Sequence, residues 1–298
     1  TRPDESWRRA YTARYSLHNC LPAGAIGERL DDFGGGVLMS ATLEPLDVFA
    51  EVTGLEHLQS EADRPIVERT YGLEFPEENR ASFAVSAPKF TYDNRGDVGD
   101  DTPTRRAYSR AIRQVADTPG NVLVGMPSYR EAEWAASVLG DVSKEVLLDS
   151  ATDDVATETL KREFFEGEPK VLVTSLRGTL TEGVDYSGDR LSAAIVCGVP
   201  IINTASPRTR AVRTAYDEAF GDGFRDALAV PAVRKARQAI GRVIRGPDER
   251  GVRVLCDERY AKQSWNSVRG LLGEAEREEF RPVGTEMFEF ALEQFRDR

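Results

Sequence analysis

Short apolar runs alternate with longer helical patterns from about residue 81 to the end of the chain. Runs rich in Val, Ile and Leu that lack polar alternation are typical of strands in a parallel sheet buried on both faces. The helices between them supply the crossover connections that parallel strands require. The sequence therefore predicts an α/β doubly wound domain, with helices on both faces of a parallel sheet. The predicted strands are 81–86, 121–126, 145–149, 170–175, 191–199 and 251–257, and the predicted helices are 104–117, 129–139, 153–166, 208–220, 231–244, 260–272 and 284–297.

The first part of the chain follows a different pattern. Three glycines at 34–36 precede an apolar run, Val37–Met39, which ends in Ser-Ala-Thr at 40–42. Phosphate-binding glycines follow their strand, so this glycine run predicts a tight turn into a strand over Val37–Met39. A proline-containing connector without a clear period comes next. We therefore divide the chain into a terminal segment, 1–58, and a main domain, 59–298.

The charge composition of the chain is acidic and poor in lysine. The 298 residues carry a net charge of −11, and only six of the 39 basic residues are lysine. An acidic, lysine-poor surface is typical of proteins from concentrated salt, where acidic side chains keep molecules solvated and separate. A genome that favours arginine codons explains the composition equally well. Neither explanation excludes a nucleic-acid partner, because phosphate binding depends on local arginine placement.

Composition also disfavours several classes of protein. The three cysteines and two histidines are scattered, so we expect no disulfide scaffold, zinc site or iron–sulfur cluster in this chain. No window reaches the roughly 18 apolar residues of a membrane span, so we expect no membrane partner and a cytoplasmic location. A small-molecule α/β enzyme is disfavoured because the sequence contains no G-x-S-x-G turn and no glycine fingerprint after a strand.

Four polar segments stand at predicted strand ends or at the end of a predicted helix. They are "LMSATLEPLDVF" (38–49), "MPSYREAE" (126–133), "SLRGTLTEGVDYSGDRL" (175–191) and "QAIGRVIRGPDERGVRVLCDERY" (238–260). Ligands bind at the carboxyl ends of strands in open α/β sheets. In this order and spacing the segments resemble motifs III to VI of the XPD/DinG family of superfamily 2 DNA helicases, over about residues 35 to 260. The resemblance implies a RecA-like second helicase domain.

In the fourth segment, the resemblance implies that Gln238, Gly241, Arg242 and Arg245 act on ATP held by another domain. Arg242 and Arg245, three residues apart, would share one face of a helix, so both guanidinium groups would converge on one target. An arginine supplied from outside the phosphate site stabilises charge on the transferred phosphoryl group. Taken alone, the segment is also compatible with a solvated basic helix that stops at Gly-Pro.

In the third segment, the resemblance implies a loop that contacts both nucleotide and DNA. The implied nucleotide contacts are Glu182, Gly183 and Asp185, and the implied nucleic-acid contacts are Arg177 and Thr181. A carboxylate accepts hydrogen bonds from sugar hydroxyls, and a glycine permits close backbone approach. Thr179 stands where the family commonly has lysine, which weakens the case for a phosphate-binding lysine. A polar turn without function is the alternative.

The other two segments add candidate nucleic-acid contacts. Ser128 and the free amides of the following helix would bind a phosphate, and Tyr129 would stack on a base. Alternatively, Ser128 only caps the helix and Tyr129 only packs. Ser40 and Thr42 resemble the motif that links the hydrolysis site to the DNA track at the end of the first helicase domain.

The sequence contains no G-x-x-x-x-G-K-[ST] loop, and therefore no cradle for the β- and γ-phosphates. The resemblance then implies that ATP and Mg²⁺ are held mainly by an N-terminal helicase domain of the same protein, and that any iron–sulfur cluster lies there too. We expect the C-terminal half of an ATP-dependent DNA helicase, which binds single-stranded DNA and is inactive alone. The alternative is a non-catalytic RecA-like module that binds nucleic acid or protein. The arginine pair discriminates between them, because a binding module has no use for it.

Overall fold

The computed structural model describes residues 17–60, 64–72, 75–150, 154–181, 186, 188, 190–244 and 246–297. These residues form one seven-stranded sheet in which every pairing is parallel, with the order β3–β4–β2–β5–β6–β1–β7. The predicted parallel α/β architecture is therefore confirmed. The strands are β1 (Arg80–Val85), β2 (Val122–Met126), β3 (Glu145–Leu148), β4 (Lys170–Ser175), β5 (Ala193–Cys197), β6 (Gly251–Cys256) and β7 (Arg281–Val283).

Helices cover both faces of the sheet. Tyr108, Trp134 and Phe288 pack on one face, and Phe164 and Tyr260 pack on the other. The helices are α1 (Ala23–Asp31), α2 (Leu46–Thr53), α3 (Leu55–Ser60), α4 (Tyr92–Arg95), α5 (Pro103–Ala116), α6 (Tyr129–Val138), α7 (Asp154–Phe165), α8 (Pro207–Phe220), α9 (Val230–Ile240), α10 (Glu258–Ala261), α11 (Glu274–Glu279) and α12 (Phe288–Arg296). Short 3-10 turns cover Glu77–Asn79, Thr179–Thr181 and Arg269–Leu271, and a π-helical turn covers Arg225–Ala229. No helix in the described part of the chain is long and apolar enough to cross a membrane.

The predicted helix over 260–272 is wrong. Helix α10 ends at Ala261, and the chain continues through turns. The Ser267 hydroxyl donates to the Arg259 carbonyl at 3.1 Å and accepts from the Arg269 amide at 3.1 Å. Short polar side chains that bind nearby backbone groups compete with helix formation in this way.

The predicted helix over 231–244 is too long at its C-terminal end. Helix α9 ends at Ile240, and Gly241 caps it. Val243 and Ile244 then turn inward and are buried beneath the start of β6, where a side chain at Gly251 would collide with Val243. Burial of these two apolar side chains requires a different backbone path from the helix. Arg242 therefore lies in a turn beyond α9, so the prediction that it stands on the helix is wrong.

The predicted strand over Val37–Met39 is also wrong. These residues are not in a strand, and the side chains of Val37 and Met39 are 85% and 87% exposed. A strand needs a neighbour for its amide and carbonyl groups, and no strand of the described chain pairs with this run.

Candidate functional site

The second and third segments meet at the carboxyl edge of the sheet. Strands β2 and β4 are paired so that Met126 lies opposite Ser175. The Leu176 amide donates to the Met126 carbonyl at 2.8 Å, just beyond the two strands. The residues that follow each strand, Ser128 and Arg177 among them, are therefore brought to the same edge, as expected for parallel neighbours.

Ser128 caps helix α6. Its Oγ accepts a hydrogen bond from the Glu131 amide at 3.3 Å, which satisfies one of the free amides of the first turn. Glu131 is buried and forms ion pairs with Arg105 at 3.0 Å and Arg95 at 2.8 Å. The capping role raised as the alternative is thus present, and the phosphate contact of Ser128 stays a prediction.

Tyr129 lies half-buried, with its hydroxyl directed at the turn after β4. A Cβ atom on Gly178 would lie 2.9 Å from both the Tyr129 hydroxyl oxygen and Asp149 Oδ2. Asp149 itself is buried and accepts a hydrogen bond from Thr174 Oγ1 at 2.7 Å. Partial burial, with a smaller contribution from Asp149, raises the pKa of Tyr129. The hydroxyl packs against this turn.

The turn after β4 presents one cation to solvent. Arg177 is exposed, and its Nη2 donates to the Ile201 carbonyl at 3.3 Å. Thr181, by contrast, is buried and donates from Oγ1 to the Gly178 carbonyl at 3.0 Å, so its hydroxyl stabilises the turn. The remaining candidates of this segment, Glu182, Gly183 and Asp185, lie outside the described residues.

The first and fourth segments also meet, although they are 196 residues apart in the sequence. Gln238 Nε2, on the last turn of α9, donates to Thr42 Oγ1 at 3.4 Å. Thr42 is buried, whereas Ser40 is exposed and lies with its Oγ 3.3 Å from Thr42 Oγ1. These candidates form one local group at the C-terminal end of α9.

Arg242 stands beside that group. The Gly241 amide donates to the Arg237 carbonyl at 2.8 Å, and a Cβ on Gly241 would lie 2.9 Å from the same oxygen. Glycine thus suits the tight helix end, and the half-buried Arg242 follows directly from it. Arg245 lies outside the described residues, so its convergence with Arg242 stays a prediction.

Three arginines that the sequence did not single out contact the segment 41–47. Arg225, Arg234 and Arg237 donate to its backbone carbonyls or carboxylates, and we call these three residues the arginine clamp. A sequence signal was present, because Arg234 precedes Gln238 by four residues and such pairs share a helix face. Their partners were not recognisable, since backbone carbonyls carry no sequence signature.

Comparison with known proteins identifies the domain. A family model described as the helicase C-terminal domain matches residues 111–270, more than half of the chain. The chain belongs to the helicase C-terminal domain family. The matched range includes β2, β4, β6 and α9, which carry the second, third and fourth segments.

Relatives of this helicase C-terminal domain include XPD proteins. The general transcription and DNA repair factor IIH helicase subunit XPD/RAD3 of Saccharomyces cerevisiae is 25% identical, over 82% of this chain and 32% of that protein. The XPD subunit of Dictyostelium discoideum is 28% identical, over 81% of this chain and 32% of that protein. The chain thus spans about a third of the length of these relatives.

A solved XPD helicase structure has the same fold as this helicase C-terminal domain. It covers 89% of this chain, while 45% of its own length is covered, at 17% sequence identity and a TM-score of 0.62. A second XPD structure, without ligand, covers 83% of this chain and is itself covered over 48%, at 19% identity and a TM-score of 0.59. The fold is that of a RecA-like second helicase domain.

Proposed function

We propose that the chain is the C-terminal half of an XPD-like, ATP-dependent DNA helicase. The observation that carries the proposal is the contact between Gln238 and Thr42, because it joins the two segments that would face ATP and the DNA track. Membership of the helicase C-terminal domain family supports the same assignment. In the proposed enzyme, an N-terminal RecA-like domain of the same protein holds ATP and Mg²⁺.

Arg242 and Arg245 would act on the nucleotide from outside its phosphate site. ATP, when bound, supplies the γ-phosphoryl group for transfer to water. Negative charge spread over the phosphoryl oxygens is stabilised by planar guanidinium groups, which donate two hydrogen bonds at once. Gln238 and Gly241 would position the turn that carries Arg242, and Glu182, Gly183 and Asp185 would contact the nucleotide from the neighbouring loop.

Single-stranded DNA would follow the carboxyl edge of the sheet. Arg177 is an exposed cation there, and the half-buried Tyr129 offers ring surface on the adjacent strand end. A groove that combines cations with aromatic rings binds single strands by phosphate contact and base stacking. Ser128 and Ser40 would add hydroxyl contacts. Thr42 and Thr181 are buried, so they would support the residues of this track from beneath.

The exposed run Val37–Met39 supports an N-terminal partner domain. Two of its three side chains are more than four-fifths exposed, and the run directly precedes the segment that the clamp contacts. Exposed neighbouring apolar residues mark interaction sites in soluble proteins. Pairing of this run with a sheet of the N-terminal domain would bury it.

The test compares the 298-residue chain with the full-length helicase. We expect no phosphate release above buffer from the chain alone, with or without single-stranded DNA, because the phosphate cradle is missing. In the full-length protein, Arg242→Ala and Arg245→Ala should each lower kcat for ATP at least about a hundredfold and change DNA affinity only a few-fold. Arg245→Lys should not restore activity, since an ammonium group lacks the planar fork.

Arg210→Ala is the matched control, because Arg210 is exposed on α8 and lies in none of the four segments. Its ATPase activity should equal that of the wild type. Full ATPase activity with lost DNA binding in the Arg242 and Arg245 variants would instead favour the non-catalytic nucleic-acid-binding module.

A further inference from the structure

Arg234 contacts consecutive backbone carbonyls of the segment 41–47. Its Nη2 donates to the Leu43 carbonyl at 2.5 Å and to the Pro45 carbonyl at 3.4 Å, and its Nε donates to the Glu44 carbonyl at 3.3 Å. Three acceptors from one stretch of backbone fix the path of that stretch, because a guanidinium group is planar and rigid. Arg234 therefore holds the segment in one conformation against α9.

Arg237 adds charge to the same contact. Its side chain is 3% exposed, and its Nη1 and Nη2 donate to the carbonyls of Glu44 at 3.2 Å and Ala41 at 3.4 Å. The Glu44 carboxylate lies 3.3 Å from Nη2, and the Glu276 carboxylate of α11 lies 2.6 Å from Nε. One buried cation thus joins three parts of the fold. Removing a partner of a buried charge lowers the free energy of unfolding, so these contacts stabilise the folded chain.

Arg225 completes the clamp from the π-helical turn. Its Nη2 donates to the carboxylate of Asp47 at 2.7 Å, and this hydrogen bond raises the pKa of Arg225. Burial and the neighbouring Arg237 lower the pKa of Arg234. Arg234 and Arg237 both donate to the Glu44 carbonyl, so the two guanidinium groups are held close together and partly out of water. Burial of a charged group is unfavourable unless the group is hydrogen-bonded, and the oxygen acceptors on 41–47 supply these hydrogen bonds. Displacement of that segment would leave both cations without those partners.

We propose that Arg234 and Arg237 are positioning residues that couple the segment 41–47 to the turn carrying Arg242. Arg237 precedes Gln238 and binds the Gly241 amide through its own carbonyl, so a shift of its side chain is transmitted to the end of α9. The same arginine fixes the backbone on either side of Thr42. The two candidate sites then move as one unit. The catalytic meaning of this coupling rests on the proposed function, but the coupling itself belongs to this chain.

Amide hydrogen exchange in the 298-residue chain tests the coupling from both sides. Glu44→Gln changes a residue of the segment, and Arg237→Gln changes a residue of α9 and also removes the ion pair with Glu276. We expect each variant to speed exchange at least about tenfold both in 46–53 and in 240–244, since coupling free energies are reciprocal. The double variant should exchange no faster than Arg237→Gln alone, because Arg237→Gln already removes the ion pair that Glu44→Gln removes.

The exposed Glu56 of α3 offers a matched control: Glu56→Gln makes the same chemical change in the same part of the chain and should leave 240–244 unaffected. If Arg237→Gln fails to fold, Glu44→Gln still decides the matter. Faster exchange confined to the mutated element, or additive effects in the double variant, would overturn the proposal. ATPase activity plays no part in this measurement, so failure of the coupling and failure of the arginine assignment can be distinguished.

Discussion

At the scale of single residues, Gly178 explains how the turn after β4 is held. A methyl group there would approach the Tyr129 hydroxyl and Asp149 Oδ2 to 2.9 Å, closer than a side-chain carbon normally lies, and the Ser175 carbonyl to a tight 3.1 Å. Because Gly178 has no side chain, the turn after β4 can approach Tyr129 and Asp149 closely. Gly178 packs against Tyr129 and Asp149 on the inner side of this turn, and the neighbouring Arg177 is exposed to solvent.

Substitution of Tyr129 separates stacking from packing. Tyr129→Ala should weaken binding of a short single-stranded oligonucleotide by about 1–3 kcal/mol if one base stacks on the ring, and Tyr129→Phe should retain the affinity because the ring remains. Fluorescence anisotropy at several salt concentrations measures both variants, and the proportional loss for Tyr129→Ala should be larger at high salt, where phosphate contacts contribute less. Equal affinity of the alanine variant and the wild type at every salt concentration would show that the tyrosine only packs.

At the scale of elements, a buried charge cluster joins α11 to the sheet. Glu279 forms an ion pair with Arg253 of β6, whose side chain is 5% exposed, and a second pair with Arg80 at 3.5 Å. The hydroxyl of Ser82 on β1 donates to Glu279 Oε1 at 3.0 Å and accepts from Arg253 Nε at 3.1 Å. The Glu279 carboxylate therefore neutralises the buried Arg253, whose charge would otherwise be unpaired beneath α11.

Glu279→Ala should lower the free energy of unfolding by about 3 kcal/mol, because it leaves Arg253 buried without its carboxylate. Glu278→Ala, on the exposed face of the same helix, is the matched control and should change stability by less than about 0.5 kcal/mol. Urea denaturation followed by circular dichroism measures both. A loss for Glu279→Ala no larger than that of the control would contradict the role of this cluster.

Elements buried on both faces were predictable from sequence, and elements defined by distant partners were not. Strands β1 to β6 lie within two residues of their predicted bounds, because continuous apolar runs between helical patterns have few other solutions. Strand β7 was missed, since Arg281–Val283 is short, contains proline and is mostly exposed. The end of α9 was misplaced because burial of Val243 and Ile244 depends on β6.

The candidate site also contains one part that was predictable from the sequence and one part that was not. All strands of a parallel sheet end at the same edge, so Ser128 and Arg177 were expected there; that β2 and β4 are neighbours was not predicted and comes from the structure. The meeting of Thr42 with Gln238 depends on hydrogen bonds to backbone carbonyls 189 to 196 residues away. No local pattern encodes such contacts, because any residue offers the same carbonyl group.

At the scale of the whole molecule, a net charge of −11 opposes compaction at low ionic strength. Salt screens this repulsion between exposed carboxylates, whereas ion pairs such as Arg237 with Glu44 are partly buried and are screened less. The balance therefore favours greater stability in concentrated salt.

We expect the thermal unfolding midpoint of the chain to rise between about 0.1 M and 2 M KCl, by roughly 2–4 °C for each kcal/mol of relieved repulsion. Differential scanning fluorimetry measures the shift. A midpoint that is constant or falls with salt would favour codon usage as the origin of the arginine-rich composition.

The position of β1 in the sheet has a consequence for synthesis. It lies between β6 and β7, and its Ser82 pairs with Arg253, 171 residues later. At a translation rate of about 5–20 residues per second, the nascent β1 waits roughly 10 to 30 s before its first neighbour leaves the ribosome. Strands β2 to β5 can pair with one another during that time. Strand β1 cannot pair, because its two neighbours, β6 and β7, have not yet been synthesised. During synthesis β1 therefore stays without a partner strand for longer than any other strand of this sheet.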